Sequence, residues 1–137
     1  MSKTYKMMET DPLWLLKANR IKITPQRAAI LSAFITGHHL TGEQIYSKIK
    51  GAIPGISLST VYNTLDLFER KGIINSFEAN GMRWYETRTE THVNIYDSGT
   101  NTVRDVELDL SDLFRQLKNN KVEPEKINIV IYSQVNK

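Results

Sequence analysis

The sequence predicts an α+β protein, with helices and a β-hairpin in its first part and a smaller ββαβ arrangement at its end. Apolar residues recur at helical spacing in the run from Ser57 to Gly72. A hairpin pattern with an Asn-Gly turn follows at once, and short alternating segments follow that hairpin. A helix followed directly by such a hairpin is the outline of a winged helix-turn-helix.

The composition limits the classes of protein to which the chain can belong. Its 137 residues are 40% hydrophobic and 24% charged, which is enough for one ordinary core or two small ones. No apolar run is long enough to span a bilayer, and the start of the chain lacks the apolar segment of a secretory signal. We therefore expect a cytoplasmic protein with no membrane partner. The absence of cysteine excludes disulfides, thiolate zinc sites, iron–sulfur clusters and cysteine nucleophiles.

Charge is distributed unequally along the chain. Residues 1–85 hold 11 Lys and Arg against 6 Asp and Glu, a net charge of +5. Residues 86–137 hold 7 against 9, a net charge of −2. The asymmetry favours an N-terminal module that faces phosphates, joined to a module with another role.

Capping signals divide the first part into short helices. Asp11 and Thr24 each precede a proline, so each is predicted to cap a helix with proline in its first turn. Thr41 and Gln44 fit the capping-box pattern and start a third helix. The fourth helix starts after Ser57, and its buried face is predicted to hold Leu58, Val61, Leu65 and Phe68.

The hairpin that follows consists of strands 73–78 and 82–86 with a type I′ turn at Asn80-Gly81. It completes a predicted winged-helix domain at residues 1–87. On the exposed face of the fourth helix, Asn63 has the two-point donor and acceptor geometry that suits adenine, worth about 1–3 kcal/mol of discrimination. The alternative is that Asn63 is an ordinary solvated helix residue.

Residues 88–137 are predicted to form the ββαβ domain. A second hairpin turns at Ser98-Gly99, a short amphipathic helix starts at Ser111, and residues 127–135 form the strongest strand of the chain. About fifty residues bury little surface by themselves. We therefore predict that this domain completes its core in a partner subunit.

Four parts of the sequence resemble, in order and spacing, the DNA-binding domain of the ferric uptake regulator (Fur) family. They are residues 22–27, residues 39–46, residues 59–65 and the wing that follows Gly72. The resemblance is specific over residues 22–87 and extends in architecture over residues 11–137. It implies a homodimeric, metal-responsive transcriptional repressor that binds an AT-rich inverted repeat in double-stranded DNA.

The resemblance also implies residue roles at the DNA. Tyr62 would contact bases, and Lys22 would approach a narrow minor groove, where A-tracts attract a cation. Phosphates would be contacted by Arg27, Ser57, Ser59 and Thr60. The alternative is that Tyr62 packs on a neighbouring helix and that Ser59 and Thr60 are ordinary first-turn polar residues.

A regulatory metal site is a further implication of the resemblance. The matching positions are His39, Glu86, Glu90, His92 and Asp105. Imidazole and carboxylate ligands suit one divalent ion such as manganese, iron or zinc. The alternative is a remnant in which these residues are loop, strand and surface groups. The family's two Cys-x-x-Cys pairs are missing, so no cysteine-ligated structural zinc is possible and the second domain must be held together by packing alone.

Two other classes of function stay open at this point. A winged-helix protein-interaction module would use the same fold without specific DNA binding. An enzyme with a metal-hydroxide site is disfavoured, because the sequence has no Ser/His/Asp ordering, Walker loop or His-Glu-x-x-His helix.

Overall fold

The structure is a computed structural model, and it describes residues 11–134. The chain divides into two compact units, the first ending at Thr89 and the second beginning at Glu90. The sequence predicts a domain boundary between residues 87 and 88, two residues earlier. The two units are described separately below.

The first unit contains helices in its first part and a sheet that ends it. Its elements are α1 (Pro12–Ala18), α2 (Pro25–Ser32), a 3-10 turn (Ala33–Ile35), β1 (His39–Thr41), α3 (Gly42–Ile49), α4 (Leu58–Arg70), β2 (Asn75–Ala79) and β3 (Met82–Glu86).

The predicted caps of these four helices are confirmed. The side chains of Asp11, Thr24, Thr41 and Ser57 each accept a hydrogen bond from a backbone N–H in the first turn of the helix that follows. At α3 both bonds of the capping box are present, since the side chain of Gln44 also accepts from the backbone N–H of Thr41 at 2.9 Å. The starts of the helices are therefore fixed by local side-chain chemistry.

The sheet of the first unit has the strand order β1-β3-β2, with both pairings antiparallel. In the turn between β2 and β3, Asn80 and Gly81 both have positive φ angles, 55° and 74°, as a type I′ turn requires. Strand β2 starts two residues later than predicted, because Ile73 and Ile74 are buried in the core before the strand begins. The predicted wing is confirmed in register and turn type.

Strand β1 is absent from the sequence prediction, which treats His39 as a loop residue. A strand of three residues is too short to show periodicity. Its partner β3 lies more than forty residues further along the chain, with His39 opposite Glu86. The pairing converts a predicted loop histidine into a strand residue with a fixed neighbour.

The core of the first unit is formed by all four helices together with residues near the sheet. On α4, Val61, Leu65 and Phe68 are fully buried as predicted, whereas Leu58 is only partly buried. The other buried apolar residues include Leu15, Leu16, Ile30, Leu31, Phe34, Ile45 and Tyr85.

The second unit has the predicted ββαβ order. Its elements are β4 (Val93–Asp97), β5 (Thr102–Val106), α5 (Ser111–Asn119) and β6 (Ile129–Ser133). Strand β4 is central, antiparallel to β5 and parallel to β6. Strand β6 is shorter than the predicted 127–135, and Val135 lies outside the described residues.

The second unit has large apolar side chains on its surface. Helix α5 contains no buried residue, and Phe114 on it is 43% exposed. On β6, Ile131 and Tyr132 are 41% and 58% exposed. Exposed apolar residues of this size on neighbouring elements are typical of a surface that another protein covers.

No helix within residues 11–134 is long and apolar enough to cross a membrane.

Candidate nucleic-acid interface and metal centre

The surface of α4 carries the polar face that the sequence predicts. Ser59, Thr60 and Asn63 are exposed, while Val61 and Leu65 point into the core. Hydroxyl and amide groups on a helix held from behind by apolar contacts are suited to the edges of bases and to phosphates. This face is the part of the first unit with the chemistry to read a groove.

At the start of α4, the hydroxyls of Ser57 and Thr60 are hydrogen-bonded to each other. The oxygen of Ser57 accepts from the backbone N–H of Thr60 at 3.1 Å and lies 3.0 Å from the hydroxyl oxygen of Thr60. Both side chains are exposed beside the positive end of a 13-residue helix. A phosphate is stabilised by a helix N-terminus and by hydroxyl donors.

Tyr62 is held against α3. Its ring is partly buried against the core, and its hydroxyl donates a hydrogen bond to a carboxylate oxygen of Glu43. Burial and, secondarily, this bond to Glu43 raise the pKa of Tyr62 to about 12, so the hydroxyl stays protonated at neutral pH. Packing on a neighbouring helix, the alternative considered from the sequence, is present, and base contact by Tyr62 stays a prediction.

Lys22 and Arg27 are brought together at the start of α2. The guanidinium Nη1 of Arg27 donates to the backbone carbonyl of Lys22 at 2.8 Å, across the capping residue Thr24. Lys22 is exposed and Arg27 partly so. The bond uses one of the five N–H donors of Arg27, so the pair keeps two positive charges for phosphates.

Two of the predicted metal ligands pair within the first unit. Nε2 of His39 lies 3.4 Å from Oε1 of Glu86 across the β1–β3 pairing. The side chain of Glu86 is 1% exposed. A carboxylate this deeply buried needs positive charge or hydrogen-bond donors around it.

Asn75 supplies such a donor, and the sequence analysis did not identify it. Its Nδ2 donates to Oε2 of Glu86 at 2.6 Å. The sequence contains the signal for this contact, because the two-residue turn at Asn80-Gly81 sets the register of the hairpin and places residue 75 opposite residue 86. Asn75 therefore fixes one oxygen of Glu86, while the other faces His39.

Two further predicted ligands pair within the second unit. Nε2 of His92 lies 3.5 Å from Oδ1 of Asp105, and His92 is buried. Nδ1 of His92 lies 2.8 Å from the backbone carbonyl of Glu90, which can only accept, so the proton is on Nδ1. In the neutral ring Nε2 then presents a lone pair towards a carboxylate, and a cation suits that position. The side chain of Glu90 is exposed, and the bond to His92 comes from its backbone.

Each of these two pairs fits a divalent ion by the chemistry of its donors. Each unit offers one imidazole nitrogen close to one carboxylate oxygen. Nδ1 of His92 is hydrogen-bonded to the backbone carbonyl of Glu90, and Glu86 accepts a hydrogen bond from the side-chain amide of Asn75. Outer hydrogen bonds of this kind orient metal ligands in proteins. Imidazole and carboxylate together suit first-row divalent ions.

The family model of ferric uptake regulators matches residues 18–132 of the chain. The chain belongs to the ferric uptake regulator family. This Fur-family protein is 42% identical over 65 residues to the peroxide-responsive repressor PerR of Staphylococcus saprophyticus, covering 47% of this chain and 44% of that protein. The chain spans about half the length of the curated relatives it matches.

Solved structures of the Fur family share the fold. The Vibrio cholerae ferric uptake regulator superposes with a TM-score of 0.75 at 22% identity, covering 91% of this chain and 100% of that one. The Francisella tularensis ferric uptake regulator, solved with iron, gives 0.69 at 26% identity and covers 84% and 92%. The predicted family and the predicted α+β fold are thereby confirmed.

This Fur-family chain holds the sheet of its second unit together without zinc thiolates. By the family resemblance, the first cysteine pair would fall at Ile95 and Ser98 of this sequence. Close by, the rings of Tyr96 and Tyr132 lie 5.3 Å apart between centroids, and the hydroxyl of Tyr96 donates to Asn101 at 2.6 Å. The contacts join β4 to β6 and close the β4–β5 turn by packing and hydrogen bonding.

Proposed function

We propose that this protein is a metal-responsive transcriptional repressor that binds an AT-rich inverted repeat as a homodimer. The observation that carries the proposal is the exposed hydroxyl and amide face of α4 within a winged-helix unit of a Fur-family chain. The net charge of +5 over residues 1–85 favours a polyanion as its partner. The related protein of S. saprophyticus is named a peroxide-responsive repressor.

The proposed roles at the DNA follow from the chemistry of each side chain. Asn63 and Tyr62 would read base edges from α4, and Lys22 would enter the minor groove. Phosphates would be bound by the remaining side chains at the starts of α2 and α4, namely Arg27, Ser57, Ser59 and Thr60.

The second unit is proposed to form the dimer. Phe114, Ile131 and Tyr132 supply apolar surface that a second copy would bury. An inverted repeat presents two identical half-sites, and a two-fold symmetric dimer places one recognition helix at each.

The proposed metal ligands are His39, Glu86, His92 and Asp105, with Glu90 as the further predicted carboxylate. A divalent cation would place positive charge beside the buried Glu86 carboxylate. His39 would supply an imidazole nitrogen as a ligand. The Asn75 amide would orient Glu86, and the Glu90 carbonyl would orient His92. Cysteine-based redox sensing is excluded because the chain has no cysteine.

Fluorescence anisotropy on labelled DNA from the promoter of the protein's own gene tests the proposal. Binding is measured in EDTA and then with manganese or zinc, at two salt concentrations. We expect metal-dependent binding that weakens about a thousandfold or more between roughly 50 and 200 mM salt, as neutralising six or more phosphates requires. His39→Ala should abolish the metal dependence.

The neighbouring His38→Ala is the matched control, because His38 is exposed and outside the proposed ligand set. Equal binding in EDTA and in metal would leave DNA recognition standing and reject metal control. No binding under any condition would reject both and favour the protein-interaction module.

A further inference from the structure

Glu43 is an exposed carboxylate in the first turn of α3, and its contact is with the residue proposed to read bases. The hydroxyl of Tyr62 on α4 donates to it across 19 residues of sequence. An acid beside a surface that binds phosphates is electrostatically unfavourable for binding, since like charges repel. Its position therefore calls for a role that offsets this cost.

The residue before Glu43, Gly42, lies against the same ring. A Cβ added at Gly42 would overlap with the Cε1, Cζ and hydroxyl atoms of Tyr62. Gly42 is thus a position where the absence of a side chain makes room for the Tyr62 ring. The Tyr62 ring occupies the space that the missing side chain of Gly42 leaves, and its hydroxyl is hydrogen-bonded to Glu43.

We infer that Glu43 is the positioning residue that holds Tyr62 in the orientation in which α4 presents it to bases. The inference rests on the proposed function. A tyrosine has only two side-chain torsions, so one fixed hydroxyl and one fixed ring face leave it little rotational freedom. Less conformational entropy is then lost on binding, and the geometry of base contact is set before the DNA arrives.

The carboxylate adds to discrimination in a second way. It repels phosphates wherever the protein lies on DNA, whereas the contact made by an oriented Tyr62 exists only at the correct bases. Glu43 therefore increases the ratio of specific to non-specific affinity. The two effects separate in variants, because glutamine keeps an oxygen acceptor for the Tyr62 hydroxyl and loses the charge.

Binding of two duplexes tests the inference. One duplex is selected by the wild-type protein from a random library, and the other is a scrambled sequence of the same composition. We expect Glu43→Ala to bind the selected duplex about tenfold more weakly, which corresponds to the loss of one charge-assisted hydrogen bond. Its affinity for the scrambled duplex should not fall. Glu43→Gln should keep most of the specific affinity and gain on the scrambled duplex.

A double-mutant cycle shows whether Glu43 acts through Tyr62. The losses of Glu43→Ala and Tyr62→Phe should not add, because each removes the same hydrogen bond. Asp66→Ala is the matched control, since it removes an exposed carboxylate from α4 and leaves the Glu43–Tyr62 contact in place. Circular dichroism confirms that each variant is folded before binding is compared.

NMR of protein with ¹³C-labelled tyrosine rings gives a readout that does not depend on DNA. Tyr62 should titrate near pH 12 in the wild type and at a lower pH in Glu43→Ala, which removes the hydrogen bond and leaves the burial in place. Additive losses, an unchanged Glu43→Ala affinity, an increased one, or ordinary titration of wild-type Tyr62 would each overturn the inference. Failure of the wild-type protein to select any duplex would instead reject the proposed function on which it rests.

Discussion

Glu86 shows how a single buried side chain links the wing to the proposed metal centre. One of its carboxylate oxygens accepts from the Asn75 amide, and the other faces the His39 ring. The Asn75 amide is neutral, so its hydrogen bond orients the Glu86 carboxylate without adding a charge beside it. The ligand is thus oriented by its neighbour on β2 before any cation binds.

Asn75→Ala should lower metal affinity about 10- to 100-fold, the usual loss when an outer contact of a metal ligand is removed. The reason is that Glu86 would lose the hydrogen bond that orients its carboxylate. Isothermal titration with manganese measures the affinity. Asn63→Ala serves as the control, because Asn63 lies exposed on α4. Equal affinities for Asn75→Ala and wild type would show that Asn75 does not support the metal site.

At the scale of elements, α3 and α4 are joined by the contact between Glu43 and Tyr62. The capping box sets where α3 starts, and so where Glu43 lies on its first turn. The buried face of α4 sets which way Tyr62 points. Neither helix alone determines the contact, which depends on how the two pack.

This contact gives the first unit a defined pH dependence. The pKa of Tyr62 is raised from 10.0 to about 12, so the folded state holds the hydroxyl proton more tightly than the unfolded chain does. The resulting stability is fully present below pH 10 and is lost as pH rises through 12. The free energy of unfolding should therefore fall more steeply over that range in the wild type than in Tyr62→Phe.

Urea unfolding at a series of alkaline pH values measures the difference. The comparison with Tyr62→Phe cancels the titration of the other tyrosines and of the lysines, which both proteins share. Curves for the two proteins that stay parallel from pH 10 to 12 would contradict a buried, hydrogen-bonded Tyr62.

For the whole molecule, the two units divide the chemistry. The first carries the positive charge and the polar helix face, and the second leaves apolar residues on its surface. Phe114 lines a groove of about 550 Å³ with Leu117, Val122 and Pro124, and the charged residues Lys118, Lys121 and Glu123 complete its lining. Burial of such surface in a dimer would supply core that a unit of 48 residues lacks.

Phe114→Asp should convert the proposed dimer to a monomer and lower affinity for the proposed inverted repeat, because a charge would be buried in the apolar interface. Sedimentation velocity measures the oligomeric state, and Arg115→Ala on the same helix is the control. The wild type should remain dimeric in EDTA, since it has no zinc thiolates to lose. A Phe114→Asp protein that stays dimeric would place the interface elsewhere.

Much of the fold was predictable because its signals are local. The four caps, the turn at Asn80-Gly81 and the apolar spacing of α4 each depend on residues within a few positions of one another. The ββαβ order could also be predicted, because apolar and polar residues alternate along its strands and turn residues lie between those strands. The short strand β1 could not, since three residues carry no periodicity.

For the candidate site, residue types and the elements that carry them could be predicted from the sequence: hydroxyl and amide groups on α4, cations at the start of α2, and imidazoles and carboxylates that suit a divalent ion. Which of these groups meet depends on the folded structure. His39 faces Glu86 only because β1 pairs with β3, and Glu43 reaches Tyr62 only because α3 packs on α4. Such pairings depend on how a whole core packs, whereas a cap or a turn is fixed by the few residues that form it.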